Sequence, residues 1–360
     1  MDKKREIREM IVRILKLRLT KKQEQSLEQW MLNLTGVYNW GLRKIELNAN
    51  DHIYFSQQTF QNLLVNHGKT LEIPSHTIQG TLIQVHNAWQ RCFKKQSKKP
   101  HLKGIRNKLN SIPFPDPIKP PQDNKIGIPK LGKIRFHKQE LPDARIKCGR
   151  ICKRASGWYL HLWLDTEHRF SVKETDIAVG IDPGFKTLLT LSDGVEIENP
   201  RELRAGAKRL AQAQRGKNKK LTARLLERQK NRRNDRNHKI SRKLVEDYST
   251  ICFSDDNFKG MKNLLGKSVT EAGLGDLLDK LDYKCRTGGR KLIKVNSKYT
   301  TMTCSACWSL TGPTGLDGLA VREWECSACG AVHERDLNSA QVILISGLGT
   351  SHERQVANAA

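Results

Sequence analysis

Four cysteines are spaced Cys304-x-x-Cys307, then 18 residues, then Cys326-x-x-Cys329. Two residues between thiolates let each pair form a knuckle. Four sulfurs then complete a tetrahedral shell with no open position, so a zinc ion held there is structural and not catalytic. Trp308 and Trp324 stand beside the ligands as apolar cover. Two carboxylates suit different chemistry. Asp182 ends the apolar run Ile177-Ala178-Val179-Gly180-Ile181 and precedes Pro183-Gly184, where a lone carboxylate would lie buried and unpaired. Asp336 sits in the string His333-Glu334-Arg335-Asp336-Leu337-Asn338-Ser339-Ala340. Phosphodiester cleavage with two Mg²⁺ ions needs carboxylates converging from separate elements, because hard cations take oxygen ligands while polarising the phosphate and activating water. The structural alternatives are a turn cap before Pro183 for Asp182 and a helix N-cap for Asp336.

The elements that must position these residues follow from periodicity and punctuation. Ile11 to Leu19 alternates as a strand with Arg13, Lys16 and Arg18 interleaved, and a helix begins near Thr20. After Gly36-Val37-Tyr38-Asn39-Trp40 a second helical stretch runs to about Asn48. Ser56 to Val65 and Ser75 to Cys92 are helical, with Leu82, Val85 and Trp89 at helical spacing. From Ile126 to Leu164 short strands take over, among them Ile134 to His137, Ala144 to Arg154 and Trp158 to Leu164. A new domain opens near Thr175 with a hairpin whose first strand ends in Asp182. It continues with basic helices, a buried strand from Thr250 to Phe253, a helix from about Ser268 to Cys285, a strand from Lys291 to Val295, the cysteine insert and a last helix from Asp336 to Leu348. The expected class is α+β and multidomain.

The chain has 360 residues with 64 Lys and Arg against 37 Asp and Glu, a net charge of +27. That excess demands a polyanionic partner. It is concentrated: Arg201 to Lys243 holds 17 bases against three acids, and Arg91 to Lys108 holds eight bases and no acid. The first window reads as a long helix or helical hairpin with a thin apolar stripe (Leu203, Ala207, Leu210, Ala211, Ala213, Leu221, Leu225 and Leu226). The second, containing Pro100 and Gly104, reads as a basic loop after a helix. Lys94, Lys95, Lys98, Lys99 and Lys103 in the loop are candidate nucleic-acid contacts. So are Arg215, Lys217, Lys219, Lys220, Arg224, Arg228, Arg232, Arg233 and Arg236 in the helical window. No run of 18 apolar residues occurs, and Met1 to Glu6 has no signal-peptide core behind it, so a cytoplasmic, nucleoid-associated and monomeric protein is expected. Nine cysteines, an odd number, argue against a disulfide framework. Cys92, Cys148, Cys152, Cys252 and Cys285 lack metal spacing and read as packing residues.

The order of these features resembles one family. Gly180-Ile181-Asp182-Pro183-Gly184, the strand and turn at Ile251 to Met261, the two Cys-x-x-Cys pairs and Arg335-Asp336-Leu337-Asn338-Ser339-Ala340 are similar to the split RuvC-like nuclease domain of TnpB proteins, transposon-encoded RNA-guided nucleases related to type V CRISPR effectors. Leu15 to Leu19, Val37-Tyr38-Asn39-Trp40 and Ile128-Pro129-Lys130-Leu131-Gly132-Lys133 resemble the family's N-terminal wedge domain. His238-Lys239-Ile240-Ser241 resembles the approach to its second nuclease motif. The resemblance implies a β-barrel-like wedge over 1–19 and 110–174 with a helical recognition insertion at 20–109. It further implies an RNase H-like nuclease domain over 175–300 and 331–348, a zinc ribbon at 301–330 and a tail at 349–360. It also implies a guide RNA with a structured scaffold, double-stranded target DNA recognised beside a short flanking motif, and Mg²⁺-dependent cleavage. Tyr38, Asn39 and Trp40 then contact the flanking DNA or support residues that do, with core packing as the alternative for Tyr38 and Trp40.

One departure bears on activity. The family's second motif ends its strand with Glu-Asp-Leu-Asn, whereas this chain reads Ser254-Asp255-Asp256-Asn257, placing an uncharged hydroxyl where the catalytic Glu belongs. Strand alternation puts Asp256 on the face of Ser254 but roughly 7 Å further along. Glu271 shares a helical face with Leu274, Leu278 and Leu281 and points to the core side, so it is the expected replacement, completing a Mg²⁺ site with Asp182 and Asp336. Ser268-x-x-Glu271 is also a capping box, which would turn the Glu back onto its own helix. An RNA-guided endonuclease is the leading expectation. A nuclease-dead RNA-guided repressor and an RNA-independent zinc-ribbon transposition factor are the alternatives.

Overall fold

The computed structural model describes residues 9–166, 172–315, 318 and 320–349, so the reading of Met1 to Glu6 and all but the first residue of the tail lie outside the described residues. The chain divides into two compact units, Met1–His168 and Arg169–Ala360.

In the first unit a long strand, β1 (Glu9–Arg18), runs into Thr20, whose side chain caps helix α1 (Lys21–Asn50) in a capping box with Gln23. Gly36 does not interrupt α1: the helix is continuous for 30 residues and buries Leu27, Trp30, Met31 and Leu34. Helices α2 (Gln57–Asn62) and α3 (Ser75–Phe93) follow, and α3 buries Ile78, Leu82, Val85 and Trp89 at helical spacing. Strands β2 (Ser111–Phe114), β3 (Lys125–Ile128), β4 (Gly132–Phe136), β5 (Arg145–Arg154) and β6 (Gly157–Thr166) join β1 in one sheet of order β2-β5-β6-β1-β4-β3. β1 turns the corner of this curled sheet, pairing with β6 through Lys16 and with β4 at Leu17 and Arg18. Leu15, Ile112, Ile134, Ile151, Leu160 and Leu162 alternate into its concave side and share one core with the helices.

The second unit is built on β7 (Ala178–Pro183), β8 (Thr187–Leu191), β9 (Glu196–Glu198), β10 (Thr250–Ser254) and β11 (Lys291–Val295), in the order β11-β10-β7-β8-β9. The β7-β8-β9 part is antiparallel, and β10 and β11 add in parallel. Between β9 and β10 lie α4 (Glu202–Ala205), α5 (Ala207–Arg215) and α6 (Lys219–Asp247), so the basic window is a helical hairpin closed at Gly216 to Asn218. After β10 the single helix expected from Ser268 to Cys285 is two. α7 (Phe258–Ala272) is capped by Asn257, and α8 (Leu274–Gly288) begins past Gly273, whose left-handed backbone (φ +64°) ends α7. A short hairpin, β12 (Glu323–Glu325) and β13 (Val332–Glu334), carries the second cysteine pair into the last helix, α9 (Arg335–Leu348). No helix among the described residues is long and apolar enough to cross a membrane.

Candidate active site and metal centre

The four cysteines converge, with all their sulfurs within 4.8 Å of one another. Both knuckles are built alike. The N–H of Trp308 returns to the Cys304 carbonyl at 2.9 Å and that of Gly330 to the Cys326 carbonyl at 2.8 Å. Both of these residues have positive φ, +66° at Trp308 and +71° at Gly330, a conformation natural for glycine and strained for tryptophan. The sulfurs of Cys304 and Cys329 stand 3.7 Å apart and those of Cys307 and Cys326 3.6 Å. Metal–sulfur bonds of about 2.3 Å at tetrahedral angles require about 3.8 Å between sulfurs, so the donor set and its spacing fit zinc. Trp324 packs with Cys304 and Cys326 as apolar cover. Two neighbours of the sulfurs escaped the sequence reading: Thr311 Oγ1 donates to the Cys326 sulfur at 3.1 Å, and His333 Nε2 lies 3.0 Å from the Cys304 sulfur. The Thr311 hydrogen bond is the largest influence lowering the Cys326 thiol to about 6. Of the other cysteines, Cys252 and Cys285 are buried and Cys92, Cys148 and Cys152 half-buried.

Asp182 is next to last in β7, one position beyond the last β7–β10 pair, Ile181 with Phe253, so β10 delivers Ser254 to the same end of the sheet. α9 packs directly on β7. A Cβ on Gly180 would stand 2.0 Å from the Ala340 carbonyl oxygen and 2.6 Å from the Leu344 nitrogen, so only glycine admits the helix here. Ala340 lies about one turn past Asp336, and the close approach brings the helix start to the end of β7. The Asp182 carboxyl is pushed up to about 8, first by burial and then by the negative charges of Asp336 and Asp256, with Arg335 and the Ser339 hydroxyl acting in the opposite sense. Asp336 is not the helix N-cap: Glu334 accepts the Leu337 N–H at 3.0 Å in that role. The Asp336 carboxylate instead meets Arg322 Nη1 at 2.9 Å on Oδ2, and Arg335 Nε and Nη2 at 3.0 and 2.9 Å on Oδ1.

The vacancy at Ser254 has a local answer. β10 stops at Ser254, and the chain then turns, with Phe258 N–H donating to the Asp256 carbonyl at 2.8 Å. The Asp255 N–H still donates to the Val295 carbonyl at 2.7 Å, so the ladder with β11 runs one residue past β10 and the turn begins only at Asp256. The Asp256 Oδ2 accepts a hydrogen bond from Ser254 Oγ at 2.9 Å, and its charge is felt at Asp182. Glu271 is elsewhere engaged. As the sequence implied, it is buried, 3% exposed, but it lies at the end of α7 and not in a first turn, so the Ser268 capping box does not form. Its Oε1 accepts the Arg204 backbone N–H at 3.1 Å and its Oε2 pairs with Arg204 Nε at 3.3 Å. The negative charges of Asp336 and Asp256 both act on Asp182. Among the described residues the four cysteines are the only group whose ligand atoms lie close enough together to hold a metal ion.

The basic candidates separate by environment. Arg215, Lys217, Lys219, Lys220, Arg224, Arg228 and Arg232 are exposed along the α5–α6 hairpin, and Arg233 is half-buried. Arg236 is internal: Nη1 pairs with Glu202 at 3.1 Å, while Nη2 donates to the Ala272 carbonyl at 2.5 Å, at the open end of α7. Among the loop bases, Lys94, Lys95 and Lys98 are exposed, Lys99 pairs with Glu46, and Lys103 lies 5.5 Å over the Tyr38 ring. Asn39 fastens this loop to α1 by exchanging hydrogen bonds with the Lys103 backbone at 2.7 and 2.8 Å, and Trp40 is partly exposed.

Comparisons with known proteins bear on this arrangement. A family model described as "Probable transposase" (OrfB_IS605) matches residues 161–265, and one described as "Cas12f1-like, TNB domain" matches residues 275–343. A Streptomyces pristinaespiralis protein named as an RNA-guided DNA endonuclease is 31% identical over 299 residues, covering 78% of this chain and 73% of its own. The chain belongs to the TnpB family. A TnpB-like protein of Acanthamoeba polyphaga mimivirus is 26% identical over 208 residues, covering 50% of this chain and 39% of its own. Among solved structures, the Cas12f1 chain of a complex with sgRNA and target DNA aligns over 90% of this TnpB-family chain and 83% of its own, with a TM-score of 0.57 at 14% identity, a likeness of fold.

Proposed function

We propose that this protein is an RNA-guided DNA endonuclease of an insertion-sequence transposon, and that its nuclease site is Asp182, Asp336 and Asp256. The observation that carries the site is the raised Asp182 carboxyl, whose charged neighbours are Asp336 and Asp256. The strand order β11-β10-β7-β8-β9, an antiparallel trio continued by two parallel strands, is the pattern of RNase H-like domains and supports a RuvC-like reading of the second unit. The curled sheet and its helices in the first unit suit the wedge and recognition insertion. Asp256 takes the role first expected of Glu271: its carboxylate accepts a hydrogen bond from Ser254 and its charge acts on Asp182, whereas the Glu271 carboxylate is held by Arg204.

Asp182, Asp336 and Asp256 would hold Mg²⁺, which when bound polarises the scissile phosphate and lowers the proton affinity of water. The chain's own contributions are separable. β7 and α9 fix Asp182 and Asp336 on rigid elements. Ser254 donates to Asp256 and so orients that carboxylate toward its neighbours. The exposed bases of the α5–α6 hairpin and the 94–103 loop grip phosphates of the guide RNA and of the heteroduplex, while base pairing reads the target. The cysteines hold zinc as a structural ion that braces β12, β13 and the start of α9.

The test is a reconstituted ribonucleoprotein. The protein is purified with its native RNA, the RNA is sequenced, and cleavage of a target beside a randomised flank is measured with Mg²⁺. Asp182→Ala, Asp336→Ala and Asp256→Ala should each abolish cutting and keep guided binding, whereas Glu271→Ala should still cut. Loss of cutting in a well-folded Glu271→Ala with normal cutting by Asp256→Ala would reassign the third carboxylate to Glu271. A wild-type complex that binds its target and never cuts would make the protein a nuclease-dead RNA-guided repressor, as Ser254 alone would suggest.

A further inference from the structure

The cysteine centre sorts its four sulfurs by exposure. Cys304 and Cys326, the first ligand of each knuckle, are 0% and 1% exposed, whereas Cys307 and Cys329 reach the surface. Four thiolates around one dication leave the centre negative. Water can solvate the outer pair, but the buried pair must find donors within the protein. Each has one. Thr311 Oγ1 donates to the Cys326 sulfur at 3.1 Å, and His333 Nε2 stands 3.0 Å from the Cys304 sulfur. A metal-bound thiolate carries no proton and can only accept, so Nε2 must carry the hydrogen in that contact. The imidazole is not itself a ligand, because the donor atoms close enough to share an ion are the four sulfurs. Both donors are aimed by their surroundings. His333 faces Trp324 across the β12–β13 pair, and the two rings pack with centroids 4.8 Å apart. Thr311 lies between Leu310, which bridges to Thr303, and Gly312, whose N–H donates to the Met302 carbonyl at 2.8 Å. A Cβ on Gly312 would stand 2.6 Å from the Thr301 carbonyl oxygen, so this segment lies flat against the stretch that leads into the first knuckle.

We propose that His333 and Thr311 are positioning residues of the cysteine centre, each carried by one half of the ribbon and donating to the buried thiolate of the other half. The proposal rests on the reading of the four cysteines as a zinc site. The crossing is visible in the chain order: Thr311 follows the first cysteine pair and reaches Cys326 of the second, while His333 follows the second pair and reaches Cys304 of the first. Neither bond can form until the two halves have closed on each other. A hydrogen bond draws charge from a thiolate, which makes that sulfur slower to take up a proton or to meet an electrophile, the two routes by which it leaves a metal. The two residues therefore hold the buried side of the shell shut. The outer sulfurs, Cys307 and Cys329, are where it opens first.

Two measurements on the full chain test this: the rate of zinc transfer to a chromogenic chelator, and the thiolate-to-metal charge-transfer band after substitution with Co²⁺. His333→Phe and Thr311→Val keep the shape and remove the donor, whereas His333→Gln and Thr311→Ser keep a donor. Each donorless variant should lose zinc about tenfold faster than wild type. Its charge-transfer band should move to longer wavelength, because a sulfur relieved of a hydrogen bond gives up its electrons more readily. His333→Gln and Thr311→Ser should restore both readings. Wild-type release and an unmoved band in the donorless variants would overturn the proposal. So would faster release with an unmoved band, since trimming a packing contact loosens the ribbon without changing the charge on sulfur. If His333→Phe takes up no metal, uptake by His333→Gln supports the donor role, and failure of both overturns it. Wild-type Co²⁺ bands too weak for a four-sulfur shell would remove the zinc reading and the proposal together, whereas four-sulfur bands with silent variants would remove the proposal alone.

Discussion

Asp182 illustrates how one residue links the site to stability. Burial, Asp336 and Asp256 raise its carboxyl from an ordinary 3.8 to about 8, so between those values the folded chain keeps a proton that the unfolded chain has lost. Stability must then fall as pH rises through that window. Asp182→Asn removes this dependence. Relative to wild type without added Mg²⁺, its advantage should be larger at pH 8 than at pH 5 by on the order of a few kcal/mol, a gap that Mg²⁺ narrows. Thermal melts at both pH values check this, and parallel profiles for the two proteins would contradict it. Glu271 is the contrasting acid. It is buried, and Arg204 supplies a backbone donor and a guanidinium, so burial there is compensated locally.

Element packing decides where the site's ends meet. α9 lies on β7 at Gly180 closely enough that a methyl group cannot be accommodated. Gly180→Ala must push the helix off the strand, and the expected loss is about 3 kcal/mol or more, of the kind seen when a core is overfilled. Because Asp336 starts that helix, the same substitution should weaken Mn²⁺ binding as well as lower the melting temperature. A stable Gly180→Ala protein with wild-type ion affinity would show that α9 does not set the distance between the two acids. The break between α7 and α8 is managed from outside. Gly273 supplies the left-handed turn, and Arg236 and Asn237 of α6 satisfy the carbonyls it exposes, Arg236 at Ala272 and Asn237 at Gly273, 3.0 Å away.

For the whole molecule the charge of +27 makes association with nucleic acid dependent on salt. The hairpin offers a separable test. Replacing Lys217, Lys219, Lys220 and Arg224 by Ala should leave the melting temperature nearly unchanged. It should also reduce the slope of log affinity against log salt by about 0.7–0.9 for each phosphate that the protein no longer neutralises. Arg236→Ala should do the reverse, costing about 2–3 kcal/mol of stability because buried carbonyls and Glu202 lose their donor, with little change in that slope. If the four exposed residues alter stability and not the salt slope, the hairpin is structural.

Much of this was legible in the residues themselves. The cysteine spacing, the strand ending in Asp182, the basic hairpin and the acid heading the last helix are local patterns, written in short stretches of chain where covalent spacing and side-chain period decide the outcome. Likewise, alternation marked the strands, and Thr20 marked the start of α1. What local pattern could not resolve was which carboxylate stands beside Asp182. Counting along an extended strand put Asp256 too far away, and helical period pointed Glu271 inward, both correct as local geometry. The outcome turned on partners distant in sequence. The Ser254 hydroxyl meets the Asp256 carboxylate, Arg204 arrives from α4 to hold Glu271, and the ribbon carries Arg322 to Asp336. Charge pairing between side chains far apart in the chain is fixed only when the backbone has closed around them, so the tertiary structure alone decides which arginine each acid meets.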